Sequence, residues 1–448
     1  MRIRNLLFAA LLLVSAIPLR GVVEAPQLII NPRPGEEMIL AIPDVQPLKS
    51  EQAGALVSTL KAFNEVLWED LKFSGVFTLA GRSFYPPQPI LKPEDINYDA
   101  WSTLPFKISF LTAGTIEGSG NNLTAELKIF DMKQRVMSFG LRISDWSPDQ
   151  IRSVAHRWAD EIVYKLTAGG SRGIASTKVA YSSRRGDAKE IYVMDYDGND
   201  QRPFTRNLSL NLFPSWSPDN SLITFISYKT GKPEINIYSY LDGSRLPFPV
   251  FNSFASNPRI SPDGNRLVFA MRDARGNIDI YTSKLDGSDR RNITNSSAVN
   301  STPIWSSPSG SQIAFISNRD GIQQLYICDA DGANVRRIVK EGGDADWPAW
   351  SPDGRWVAFH WKPRMAENYD IYIADAATGQ IRQLTSESGS NECASWAPDG
   401  RHIAFQSNRT GSEQIFIMLA DTNKPELRMV TNQGANTCPA WGGYPRKK

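Results

Sequence analysis

The sequence predicts an α+β N-terminal domain followed by an all-β six-bladed β-propeller closed by the C-terminal strand. Three observations lead there. A phrase built on Trp-Ser-Pro-Asp-Gly recurs along the last two thirds of the 448 residues. The residues before it carry no repeat and mix helical with strand periodicity. The final copy of the phrase has no strands after it, while the first unit has strands with no phrase before them.

The phrases Trp216-Ser-Pro-Asp219, Ile260-Ser-Pro-Asp-Gly264, Trp305-Ser-Ser-Pro-Ser-Gly310, Trp350-Ser-Pro-Asp-Gly354, Trp396-Ala-Pro-Asp-Gly400 and Trp441-Gly-Gly443 are spaced by 44, 45, 45, 46 and 45 residues. Within a unit, Pro352 presets φ for a turn and Gly354 supplies the left-handed position that closes it. Strands follow at 355–359 and 370–374, then a turn at Thr378 and Gly379, then a strand at 380–385. Other copies carry Asp-Gly at that last turn, at 197–198, 242–243, 286–287 and 331–332. Four short antiparallel strands per unit of about 45 residues is the pattern of a propeller blade.

Strands at 178–182, 190–194 and 201–205 lack an inner strand, and the strand around Trp441 lacks successors. Pairing them makes six blades from 176–448 and removes exposed sheet edges. Every inner strand runs from an inter-blade connection to a Ser-Pro-Asp-Gly turn. The tight turns therefore share one face and the longer loops share the other. The N-terminal domain enters at the start of a second strand, which places it on the tight-turn face and leaves the loop face open to a partner.

In the N-terminal domain, 38–170, strands are expected at 38–42, 75–79, 106–112, 123–130 and 135–143. Ser50 is expected to cap a helix to residue 72, with Leu56, Leu60, Phe63, Leu67 and Leu71 on one face. A closing helix opens on the capping box Ser147-Pro-Asp-Gln150 and turns Ile151, Val154, Ala155, Trp158, Ile162 and Leu166 inward. Ahead of the domain, Arg2 and Arg4 precede an apolar run from Leu6 to Val14 and the small residues Ser15 and Ala16. That is the pattern of an export signal over 1–25, cleaved after Ala16 or Ala25, and its run is shorter than the ~20 residues that span a bilayer. Residues 26–37, with Pro32, Pro34 and Gly35, read as a mobile or conditionally docked tail.

Charge agrees with export. Of 49 basic and 47 acidic residues, Arg2, Arg4, Arg20 and Glu24 fall within 1–25, which leaves 46 of each. A neutral mature chain is a poor electrostatic partner for nucleic acid or anionic membrane. Three cysteines are too few, and odd in number, for a disulfide framework.

Signals of catalysis are sparse. Gly-X-Ser-X-Gly is absent, and the last blade is expected to use the chain to its end, without room for a hydrolase domain. His156, His360 and His402 share no repeat position and no metal-ligand spacing. Asp219, Asp263, Asp353 and Asp399 recur in the tight turns, where Asp bonds its own backbone. No enzymatic activity, cofactor or metal is therefore expected. The competing reading is a propeller that binds or hydrolyses a carbohydrate or peptide in its channel.

Two polar sets fall on the loop face. Asn211, Asn300, Asn391 and Asn436, five residues before the blade Trp, are either turn caps or part of a binding face. Beside them stand residues that vary between blades and form the candidate partner-binding set: Ser256, Asn257, Ser301, Thr302, Asp346, Trp347, Glu392 and Thr437. Arg184, Lys229, Arg319 and Arg409 either rim that face or are solvated turn residues. Cys393 and Cys438 occupy one repeat position in adjacent blades and would bridge only with Cα atoms within ~7 Å; Cys328 falls in a blade strand.

An exported chain with this domain order and blade count, carrying Gly75-Val-Phe77, Ala100-Trp101 and the closing helix, resembles the TolB family, the periplasmic components of the Tol–Pal envelope system. The resemblance implies a monomeric, non-enzymatic adaptor that supports outer-membrane integrity and constriction during division. It implies binding of the peptidoglycan-associated lipoprotein Pal on the face distal to the N-terminal domain, and of TolA through the tail. In the family a histidine on the connection before the third inner strand contributes; Phe254 stands in its place here, and Thr302 replaces an acidic residue. Leu28, Ile29, Ile30 and Arg33 occupy the tail position, where Pro32 and Pro34 depart from the family pattern.

Overall fold

The computed structural model describes residues 37–251, 253–386, 389–420 and 427–444. The expected export signal and Leu28, Ile29, Ile30 and Arg33 of the tail lie outside the described residues. From Lys178 onward the chain forms six four-stranded sheets, each a blade. Blade one joins Lys178–Arg184, Lys189–Asp195 and Arg202–Pro203 to the inner strand Ala435–Trp441. Blades two to six have the inner strands Asn211–Trp216, Ala255–Ile260, Asn300–Trp305, Gly343–Trp350 and Asn391–Trp396. The ring closes by antiparallel pairing of the last strand with the first, Trp441 opposite Val179 and Ala435 opposite Arg184.

Repeated residues join the blades. Nε1 of Trp216, Trp305 and Trp396 donates to the carbonyls of Ala440, Arg259 and Ala349 on the preceding inner strand, at 3.1, 3.2 and 3.1 Å. Nδ2 of Asn211, Asn300, Asn391 and Asn436 donates to Glu190, Asp279, Asp370 and Gln414 on the third strand of the preceding blade, at 2.9, 3.0, 2.9 and 2.8 Å. All four asparagines are fully buried. They join neighbouring blades and offer no surface to a partner. Arg319 and Arg409 donate to the same asparagines, Asn300 and Asn391, so they belong to these joints and form no free rim.

The turns follow their chemistry. Ser351 Oγ donates to Asp353 Oδ1 at 2.5 Å and accepts from Trp356 N at 2.8 Å, while Asp353 Oδ1 accepts from Arg355 N at 3.1 Å. Outer strands are shorter than the sequence suggests: the strand expected at 380–385 spans Ile381–Gln383. Thr385 Oγ1 takes the Ile371 N–H at 2.9 Å, so a hydroxyl replaces the ladder carbonyl there.

The N-terminal sheet has the order Thr78–Leu79, Ile39–Ala41, Phe110–Ser119, Asn122–Asp131, Val136–Trp146. Helices α1 (Ala53–Phe73) and α3 (Ile151–Leu166) cover one face, with Phe63 edge-on to Trp158 at 4.9 Å. The short helix α2 (Tyr98–Ser102) seats Trp101 against Leu111 and Phe130 on the other. Ser50 does not cap α1: it lies in a 3₁₀ turn, Ser50–Gln52, and the helix begins at Ala53 without a side-chain cap. The strand expected from residue 106 begins at Phe110, because Phe106 turns inward to pack in the Trp101 cluster and Pro105 has no N–H for a ladder. Gln150 Oε1 accepts from Ser147 N at 3.0 Å, the expected capping box.

Removing one inter-blade joint leaves the half-buried Asp370 carboxylate short of a donor and empties a fully buried site. Asn391→Ala is expected to lower stability by about 1–3 kcal/mol, read as a shifted midpoint in urea titration. Exposed Asn121→Ala, the control, should leave the midpoint unchanged.

Candidate partner-binding face

Each inner strand carries a bulge two to four residues after its first residue. The bulge residues are Phe213, Asn257, Thr302, Trp347, Cys393 and Cys438, all with φ between 45° and 59° and none of them glycine. Proline follows five of the six, at 214, 258, 303, 348 and 439. All six ladders break there and take an extra residue, the Cys393 bulge with Ala394 after it; in the other five the proline has no N–H to give the neighbouring strand. The six positions form a ring at one level of the channel. Phe213 and Trp347 come from blades three places apart, and their rings meet at 4.9 Å. Trp347, Cys393 and Cys438 make a buried apolar cluster at this level, with the half-buried Phe213 packed against it.

The structure brings most of the predicted set to this ring. Ser256, Asn257, Thr302 and Trp347 are buried there, while Phe254, Ser301, Asp346, Glu392 and Thr437 are half-buried beside it. Thr302 Oγ1 donates to Asp346 Oδ1 at 2.8 Å, and the same oxygen accepts from Trp347 N at 2.6 Å. His360 Nδ1 accepts from Cys393 N at 3.2 Å, and burial pulls this imidazole below its ordinary value. Asn257 Nδ2 is buried without an acceptor among the described residues. Arg259 lies beside the ring, donating to Pro214 O at 3.2 Å with its guanidinium 5.7 Å from the Trp347 ring centroid.

Phe213 and Arg259 were not singled out by sequence reasoning; the Pro that follows five of the six bulge residues is the signal that finds the ring. The loops around it add surface that polar composition concealed. Leu208 is 88 % exposed and Met365 100 %, with Val250 and Val299 also exposed, all on loops of this face. Exposed apolar side chains gathered on one face are a feature of protein-binding surfaces.

Comparisons with known proteins agree with this architecture. The family model for the TolB beta propeller domain matches residues 164–362 and 338–444, and that for the TolB amino-terminal domain matches 30–137. The chain belongs to the TolB family. The Tol-Pal system proteins TolB of Bordetella parapertussis and Bordetella pertussis are each 29 % identical over 276 residues, 61 % of this chain. The match spans about 60 % of the length of those relatives. The crystal structure of TolB from Acinetobacter baumannii shares the fold, with a TM-score of 0.77 at 23 % identity over 91 % of this chain and 97 % of that one.

In this TolB-family chain the N-terminal domain docks on the tight-turn face through buried polar contacts. His402 Nε2 lies 2.9 Å from Phe73 O while its Nδ1 lies 2.6 Å from Asp399 Oδ2. Arg401 donates to the carbonyls of Ser74 and Gly75, both at 3.1 Å. Gly75 has φ +63°, and a Cβ there would meet Leu419 Cδ2 at 2.6 Å, so the close approach requires glycine. At the centre, Asp70 accepts from Tyr196 OH at 2.7 Å and pairs with His156 Nδ1 at 2.7 Å, while Arg152 pairs with Asp197.

Among the described residues, Asp70, His156 and Asp197 are the group with metal-ligand spacing. Asp70 is taken by Tyr196 and His156 Nδ1 and Asp197 by Arg152, while His156 Nε2 lies 4.0 Å from Asp197 Oδ2 without a hydrogen bond, so the set fits a charge-balanced ion-pair network. Burial alone would pull His156 down, but the Asp70 carboxylate, its hydrogen bond, Asp197 and Asp195 hold the imidazole above its ordinary value. Burial pushes Asp70 up, against His156 and Tyr196. A raised imidazole contributes stability that is complete below its unfolded value near 6.5 and is lost as pH rises through the folded value; a raised carboxyl shifts stability the same way. His156→Gln is therefore expected to cost most at about pH 5.5 and least at about pH 8.5, read as the melting-temperature gap to the parent at each pH.

Proposed function

We propose that this chain is a non-enzymatic periplasmic adaptor of the Tol–Pal envelope system. It binds the peptidoglycan-associated lipoprotein Pal on the loop face and TolA through the tail around Leu28, Ile29, Ile30 and Arg33, supporting outer-membrane integrity and constriction during division. One observation carries the reading: the N-terminal domain makes its buried polar contacts on the tight-turn face, so the opposite face is open and carries Leu208, Val250, Val299 and Met365. Membership of the TolB family supports the assignment to the system. Among the described residues no helix is long and apolar enough to cross a membrane.

The proposed contact set is the ring and its rim: Phe254, Ser256, Asn257, Ser301, Thr302, Asp346, Trp347, Glu392 and Thr437. Asn257 contributes a specific demand, because a buried amide left without an acceptor costs about 1–3 kcal/mol and a partner carbonyl at the channel mouth would satisfy it. Phe254 and the buried Phe213–Trp347 contact make this mouth apolar, which suits an aromatic or aliphatic anchor from the partner.

Leu208→Glu with Met365→Glu is expected to weaken binding of purified Pal at least tenfold by calorimetry, with no change in melting temperature because both side chains are exposed. Leu241→Glu, equally exposed at 85 % but on the tight-turn face, should leave affinity unchanged. Equal affinity for all three proteins would remove the loop face from the interface.

A further inference from the structure

We propose that Cys393 and Cys438 form a disulfide across the channel, tying blade six to the closing inner strand of blade one. They occupy equivalent bulge positions on adjacent inner strands, with φ 54° and 49°, so both side chains enter the channel at one level. Both are buried in the cluster with Trp347 and Phe213, at 4 % and 8 % exposure. Both are free thiols packed in that one cluster, and Cys438 Sγ donates to Gln406 Oε1 at 3.6 Å. Side-chain rotation about Cα–Cβ is the movement that would bring the two sulfurs to the ~2.05 Å of a disulfide.

Their backbones are held in register for it. Cys393 N donates to His360 Nδ1 at 3.2 Å, and Cys438 N donates to Gln406 Oε1 at 2.9 Å. Each anchor comes from the second strand of the preceding blade. The residues lie 45 apart in sequence, and the loop they close contains all of blade six beyond its first residues. The bond therefore adds a covalent tie to a ring whose closure otherwise rests on strand pairing and side-chain hydrogen bonds.

In the reaction two S–H bonds break and one S–S bond forms. The two electrons and, through solvent, the two protons pass to the disulfide of a thiol–disulfide exchange protein, or to glutathione disulfide in vitro, whose S–S bond breaks to give two thiols. The thiolate is the attacking species, and burial pushes the Cys393 thiol well up, so exchange belongs to the stage before the ring closes. Cys328 sits in another cluster, on blade four, where burial pushes its thiol up to about 12; it stays reduced and serves as the internal reference.

The inference rests on the export reading only for the compartment that supplies the oxidant, so the bond is tested apart from it. The full chain is reduced in guanidinium, refolded in a glutathione redox buffer, then denatured and alkylated with iodoacetamide without reductant. One alkylated cysteine, Cys328, and a peptide pair joining Cys393 to Cys438 are expected, rising to three alkylated cysteines after reduction. Reduction should lower the melting temperature by about 5 °C. Three alkylated cysteines from a refolded sample with native circular dichroism overturn the proposal. A bridge in the refolded sample but three thiols in protein recovered from cells would instead count against export.

Discussion

Everything in this molecule depends on the pairing of Ala435–Trp441 with Lys178–Arg184. Each blade of four short strands is too small to hold a core of its own, and the apolar clusters run between blades. Only a closed ring buries all of them at once. Closure also decides where the loops go. With the last strand supplying the inner position of blade one, every inner strand runs the same way, and the two faces acquire different chemistry.

The differences between the faces are physical. On one, Ser-Pro-Asp-Gly turns keep their carboxylates on their own backbone, and Gly75 of the N-terminal domain allows close approach to Leu419 there. Arg401, His402, Tyr196 and Arg428 reach from this face into the N-terminal domain, with Arg428 pairing Glu69 at 2.8 Å. On the other, the buried asparagines take the carboxylates and amides of the preceding blade, so the polar groups of the scaffold are spent internally. Outward on that face stand the apolar Leu208, Val250, Val299 and Met365 among charged loop residues such as Lys229 and Arg275, a mixture found on protein-docking surfaces.

Much of this was legible in the sequence because a repeat reports its own geometry. The phrase spacing gave the blade count, and the unpaired first and last units revealed how the ring closes. Single positions within the repeat were harder to read. Asn391 looks alike as a turn cap, a surface group or an inter-blade donor until Asp370 is placed beside it, 21 residues away in the chain. The bulge ring was missed for a related reason: aromatic and β-branched residues announce strands, while the Pro that follows the bulge is two residues before the blade Trp or Ile260 and reads as part of the next turn. His156 and His402 share no motif, and only the packing of α1 and α3 on the ring makes both of them partners across one interface.

An apolar channel floor also bears on the competing picture of a ligand-processing channel. Phe213 meets Trp347 across the channel at the level where the inner strands carry their most variable residues. The proposed recognition at this face is by surface anchors at the mouth and on the surrounding loops. Hydrogen–deuterium exchange of the full chain with and without Pal tests this directly. Slowed exchange is expected in the loop-face segments 206–210, 253–257, 295–302 and 363–369, with the tight turns unchanged. Protection confined to the tight turns or to the N-terminal domain would contradict it.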